Sequence, residues 1–120
     1  MRYKKMPTKR YEKTLRFLKH YIPEKSRILD LGTSNEFSEI MRNNKYEVFN
    51  THGDDLDIQY EIVKEEKFDV VTAFEIFEHM VCPFNLLRSI KAKKLIASVP
   101  LKLWFTNAYW GENDWYKYYH

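Results

Sequence analysis

From Phe68 to Phe74 the chain is nearly continuously apolar, with Val70-Val71 at the centre placing β-branched side chains on both faces of a strand. A strand wet on one face alternates polar and apolar residues. One that is apolar on both faces must be covered by helices on both sides, which is the arrangement of a parallel sheet. Two further short runs, Arg27 to Leu31 and Lys94 to Val99, have the same character, and stretches of helical spacing lie between them. Strands alternating with helices predict an α/β fold with a mostly parallel sheet flanked by helices.

Pro7-Thr8 predicts a helix start with Thr8 as N-cap. Tyr11, Leu15, Leu18 and Ile22 then follow at spacings of four, three and four, and Pro23 ends the helix. After the strand at 27–31, Phe37, Ile40 and Met41 give a second helical stripe that runs out at Asn43-Asn44. Tyr46 to Thr51 reads as a strand, His52-Gly53-Asp54-Asp55 as a turn, and residues 58–66 as a short helix. Pro83 opens a helix through Ile90, and Pro100 closes the strand at 94–99.

A chain of 120 residues fits one domain, here 1–120. It divides into a basic N-terminal helix at 1–25, a core at 26–100 and an aromatic segment at 101–120. No stretch approaches the roughly 20 apolar residues of a membrane span. The N-terminus is too basic for a signal peptide, and Cys82 is the only cysteine, which excludes a disulfide framework. A reducing, cytoplasmic setting is expected. Net charge is +3, but residues 1–27 carry ten Lys/Arg against Glu12 and Glu24. Such a face suits either solvation or contact with an anion.

In an open parallel sheet, ligands sit beyond the carboxyl ends of the strands where strand order reverses, so the first strand-turn-helix has priority. It reads Ile28-Leu29-Asp30-Leu31-Gly32-Thr33-Ser34-Asn35-Glu36-Phe37. Gly32 permits a sharp turn and leaves space against the backbone, and Asp30 at the strand end can hold a hydrogen-bonding or cationic group. The segment resembles the first motif of the class I S-adenosylmethionine-dependent methyltransferases, acid-x-Gly-x-Gly-x-Gly. Asp30 and Gly32 match, while Ser34 stands at the second glycine and Glu36 near the third. A dinucleotide loop or P-loop is absent, and Glu36 at a helix start would repel phosphate.

A second stretch carries the resemblance further. Lys67-Phe68-Asp69-Val70-Val71-Thr72-Ala73-Phe74-Glu75-Ile76-Phe77-Glu78-His79-Met80, followed by Pro83 and by Leu95 to Pro100, is similar to the fourth strand, Glu-His turn, helix and fifth strand of that family. The resemblance implies a Rossmann-like fold lacking the last strands of the family's seven-stranded sheet, with about five present and the third abbreviated. It implies S-adenosyl-L-methionine as cofactor, within a shell drawn from Asp30, Gly32, Thr33, Asn50, Asp54, Asp55, Phe74 and Glu75. Asn50 stands where the family places a ribose-binding acid, with Asp54 or Asp55 as substitutes from the loop. Glu78 and His79 are the catalytic candidates at the acceptor side.

Glu75, Glu78 and His79 are spaced i, i+3, i+4 and on one helical turn would share a face. Two carboxylates and an imidazole suit a hard cation, and Glu-x-x-Glu-His resembles metal-assisted O-methyltransferases, so Mg²⁺ is the expected ion. A structural role for Glu78 and His79 in the loop is the competing expectation. The RNA-modifying variant of this motif needs a further histidine, and only His120 lies downstream.

Eight of the twenty aromatic residues fall in 104–120, where they suit an acceptor wall, a sheet-edge cover or a dimer interface. The resulting expectation is a methyltransferase acting on O or N of a small-molecule acceptor, with nucleic acid the less favoured acceptor, no membrane contact, and self-association through an open sheet edge. The alternative is a degenerate methyltransferase-fold binding module for a protein or nucleic-acid partner, without catalysis.

Overall fold

A computed structural model describes residues 5–99. Helix α1 (Lys5–Tyr21) leads into strand β1 (Arg27–Asp30) and helix α2 (Glu36–Asn43). Strand β2 (Glu47–Asn50) follows, then a 3₁₀ turn at Glu61–Lys64, strand β3 (Val70–Phe74), a second 3₁₀ turn at Phe77–His79, helix α3 (Pro83–Ser89) and strand β4 (Lys94–Ser98). The four strands form one sheet in the order β2-β1-β3-β4, and every pairing is parallel. The predicted α/β class and parallel sheet are thus present. Four strands stand among the described residues where about five were expected, because the chain from 51 to 69 turns through Glu61–Lys64 and adds none.

The two-sided apolar character of the strands is used as the sequence requires. Ile28, Val48 and Val70 face one side of the sheet, where they pack with Leu18 and Ile22 from the N-terminal segment and Phe37 and Met41 from α2. Leu29, Val71 and Ala73 face the other, against Leu56, Val63 and Leu86. Full burial of such a side chain contributes about 1.5–3 kcal/mol relative to exposure, so the two layers rather than helix propensity hold these short elements.

Helix α1 already includes Pro7 and Thr8, so Thr8 is not its N-cap. Pro7 sits in the first turn, where a missing N–H removes a donor that has no intrahelical partner. The cap that does form belongs to α2. Asn35 accepts from Ser38 N at 2.9 Å, and Ser38 Oγ accepts from Asn35 N at 3.2 Å, a reciprocal box. The helix read at 58–66 shrinks to a single 3₁₀ turn.

Candidate functional site

Asp30, Asn50 and Phe74 end β1, β2 and β3, and the register sets Asp30 beside both Asn50 and Thr72. All three therefore lie along one carboxyl edge of the sheet. The chain leaves β1 toward β2 on one side and meets β3 on the other, so strand order reverses between β1 and β3. A cleft of about 350 Å³ opens at that reversal, lined by Asp30, Leu31, Gly32 and Thr33 after β1, by Phe74, Glu75 and Ile76 after β3, by Ser98 of β4, and by Arg10, Tyr11 and Thr14 of α1. Its size lies at the lower end of the range for small-molecule sites. A hollow of about 630 Å³ lies at the opposite ends of the strands, lined by Lys25, Asp69, Lys93 and Lys94. Its wide mouth and solvated charges make it the weaker candidate, because open parallel sheets hold ligands at the carboxyl edge.

Gly32 shapes the floor of the cleft. Its φ is +108°, a conformation that side-chain-bearing residues rarely adopt, and a Cβ there would meet Ile76 Cδ1 at 3.3 Å. The turn is fixed by Gly32 N donating to Thr51 Oγ1 at 2.7 Å and Leu31 N donating to Thr72 O at 2.8 Å. The loop beyond β2 rests beside this turn, since a Cβ on Gly53 would lie 3.9 Å from the Thr33 methyl.

Asp30 is 3% exposed, and its carboxylate is occupied by the protein. Thr72 Oγ1 donates to Oδ1 at 2.7 Å, while Ser38 Oγ at 2.9 Å and Asn50 Nδ2 at 3.0 Å donate to Oδ2. Burial raises its pKa above the ordinary 3.8, and the bonds from Thr72, Ser38 and Asn50, with the nearby Arg42 charge, oppose that rise. Asp30 thus ties β1, β2, β3 and the first turn of α2 together beneath the cleft, and lines its edge rather than reaching into it.

Asn50 is similarly committed. The two hydrogens of its amide nitrogen are shared among Asp30 O, Asp30 Oδ2, Gly32 O and Ser38 Oγ, all within hydrogen-bonding distance, and its Oδ1 accepts from Arg42 Nη2 at 2.8 Å. Arg42 also reaches Val48 O at 3.1 Å and Ser34 Oγ at 3.0 Å. Both ends of the Asn50 amide thus hydrogen-bond to the protein, and Asn50 does not line the cleft. Asp54 and Asp55 are exposed on the adjoining loop, outside the lining of the cleft.

The convergence expected of Glu75, Glu78 and His79 does not occur. It required a helix beginning at Glu75, but Glu75 has φ +58° and only Phe77–His79 turns, as 3₁₀. The three consequently do not share a face, and no group of three His, Cys, Asp or Glu among the described residues could hold a metal ion. Glu75 pairs with Arg10 at the cleft mouth. Glu78 turns inward with Oε1 buried and unpartnered, and its Oε2 lies 3.7 Å from Nε2 of an exposed His79. Neither Glu78 nor His79 lines the cleft. His120 and the aromatic segment at 104–120 lie outside the described residues.

Sequence spacing left unassigned the whole α1 wall of this cleft, and also Asn35, Ser38 and Arg42. Asn35 just before a helical stripe is a recognisable N-cap signal, whereas Ser38 at the third helical position departs from the usual Glu or Gln of a capping box. Arg10 has no local signal, because its partner is 65 positions away.

A parallel α/β sheet with a cleft at its point of strand reversal defines a Rossmann-like fold. A methyltransferase-domain family model matches residues 3–119, and the chain belongs to that family. Comparison with curated proteins and with solved structures gives no significant match. The family's usual cofactor is S-adenosylmethionine. The residues present are compatible with such a ligand: Gly32 lines the cleft with no side chain of its own, and Arg10, Glu75, Phe74 and Ile76 offer charged and apolar wall. No helix among the described residues is long and apolar enough to cross a membrane.

Proposed function

We propose that this chain binds S-adenosylmethionine in the cleft between the ends of β1 and β3 and transfers its methyl group to O or N of a small-molecule acceptor. The observation that carries this reading is Gly32, which lines the cleft at the strand reversal in a positive-φ conformation, in a methyltransferase-family chain. The bound cofactor supplies an electrophilic methyl on sulfur. The chain's part is to hold that group in line with a nucleophile and to exclude water, which needs few reactive side chains. Gly32 and Thr33 support the ligand from below, and Phe74 and Ile76 form apolar wall. With Asn50 committed to Arg42, the ribose hydroxyls fall to Asp54 or Asp55 on the loop that rests against Thr33. His79, exposed beyond the cleft wall with Glu78 Oε2 3.7 Å from its Nε2, is the candidate base on the acceptor side.

Calorimetric titration with S-adenosylhomocysteine tests the assignment. The native chain should bind, and Gly32→Val should abolish binding while the circular dichroism of the fold is retained. Equal affinity in a folded Gly32→Val chain would remove the cofactor from this cleft.

A second reading, a methyltransferase-fold binding module without turnover, draws on the committed Asn50 and on Ser34 and Glu36 in place of glycines. Binding of S-adenosylhomocysteine separates the two. We also propose self-association along the β4 edge, where Leu95 and Val99 are exposed. Sedimentation equilibrium should show a dimer, and a monomer at every concentration would contradict it.

A further inference from the structure

Between helix α1 and strand β4 the surface is hollowed along the strand. One hollow, of about 270 Å³, shares Thr14, Phe74 and Ser98 with the cleft. A second, of about 500 Å³, shares Phe17, Ile96 and Ala97 with the first and continues to Lys93 and Lys94. Together they form a trench that leaves the cleft at Ser98 and follows β4 to Lys94. Strand rise sets its length at about 13 Å, four residues at roughly 3.3 Å each.

The trench is mainly apolar along its length and charged at its far end. Phe17 and Tyr21 of α1 are 52% and 51% exposed, their rings tilted against each other at 4.7 Å, and Ile96 and Ala97 line the strand side. Exposed apolar surface running out of a small-molecule cleft suits the apolar body of a ligand. At the far end Lys94 Nζ donates to Tyr21 O at 2.7 Å, which holds an ammonium across the trench, and Lys93 precedes it. Among the described residues no carboxylate lines either hollow, and neither lysine is in an ion pair. Past these lysines, the hollow at the amino ends of the strands carries Glu24, Glu66 and Asp69. A polyanion such as single-stranded nucleic acid would run onto those carboxylates, whereas a ligand with one terminal anion stops at the lysines.

We infer that this trench receives the methyl acceptor, and that the acceptor is an elongated amphiphilic acid. Its apolar chain lies along Phe17, Ile96 and Ala97, its single anion meets Lys93 and Lys94, and the O or N to be methylated stands at the cleft end. The inference rests on the cofactor reading above and gives its small-molecule acceptor a chemical class.

Calorimetric titration of the full chain with dodecanoate, kept below its micelle concentration, tests the trench, and a separate titration with S-adenosylhomocysteine tests the cofactor. Dodecanoate should bind, and dodecyltrimethylammonium, the same chain with the opposite charge, should bind about tenfold or more weakly. Lys93→Gln should weaken dodecanoate about fivefold and leave dodecanol within about twofold, because only the anion meets that lysine. Phe17→Ser should weaken both about tenfold, and leave S-adenosylhomocysteine within about twofold because Phe17 does not line the cleft. Phe17 and Lys93 are exposed, so these variants should fold, and circular dichroism checks it. Dodecanoate affinity that ignores both substitutions, or follows Lys13→Gln at the cleft half instead of Lys93→Gln, would overturn the inference and leave the cofactor reading standing. Tighter binding of an oligouridylate, lost in Phe17→Ser, would give the trench to nucleic acid and overturn it too. A dimer dispersed by Phe17→Ser in a chain that does not bind dodecanoate would give the trench to a second copy. Dodecanoate binding as expected, in a chain that does not bind S-adenosylhomocysteine, would overturn the cofactor reading and with it the acceptor role of the trench.

Discussion

Asp30 lies at the edge of the cleft and serves mainly to build it. Three donors from three different elements converge on its carboxylate, and removing that acceptor strands all of them in a buried layer. Asp30→Ala should therefore lower stability by about 2–4 kcal/mol in urea denaturation, the range for leaving a buried polar cluster unsatisfied. A loss below about 1 kcal/mol would show that solvent already shares the cluster. The pH dependence follows from the raised carboxyl. Between the ordinary 3.8 and the higher folded value, the native state keeps a proton that the unfolded chain has released. The unfolded state then binds fewer protons, so this group's contribution to stability decreases as pH rises through that window. Subtracting the stability of Asp30→Asn from that of the native chain at each pH should give a difference that falls with rising pH from about 4. A difference that rises would mean the three donors outweigh burial.

At the scale of elements, α1 matters because it is both core and wall. Leu18 is fully buried beside Ile28 and Val70, while Arg10, Tyr11 and Thr14 of the same helix line the cleft. Leu18→Ala should cost about 2–5 kcal/mol and weaken ligand binding together with stability, readable as a lowered denaturation midpoint and a lowered calorimetric affinity. Helix α3 depends on a distant residue: Cys82 offers no side-chain cap, and Asp57 accepts from Val81 N at 3.0 Å and Cys82 N at 2.6 Å. Asp57→Ala should cost about 1 kcal/mol in the same assay, whereas Asp54→Ala, on the exposed loop, should cost much less.

The same elements show what the amino-acid sequence discloses by itself. The strands were legible because two-sided apolar runs such as Val70-Val71 leave few alternatives to a covered parallel sheet. Gly32 was legible because glycine is scarce in this chain and one stood at the end of the first strand. The grouping of Glu75, Glu78 and His79 failed because it assumed helical periodicity through Glu75, and nothing in the residue type announces a left-handed backbone there. Arg10 and Asp57 act across long sequence separations and leave no periodic trace.

On the scale of the whole molecule, strand order places the ends of β1 and β3 together and thereby decides where a ligand can sit. Membership of the methyltransferase family over residues 3–119 gives that location a chemical meaning. In the proposed site, the committed amide of Asn50 leaves the α1 wall, with Arg10, Tyr11 and Thr14, as a flank of the cleft that β2 does not supply. An amide nitrogen–proton correlation spectrum of the ¹⁵N-labelled chain, recorded during titration with S-adenosylhomocysteine, tests this most directly. Shift changes should concentrate at Asp30 to Asn35, at Phe74 to Ile76 and around Arg10 to Thr14. A spectrum that does not change, or changes confined to the hollow lined by Lys25, Asp69 and Lys93, would contradict the account.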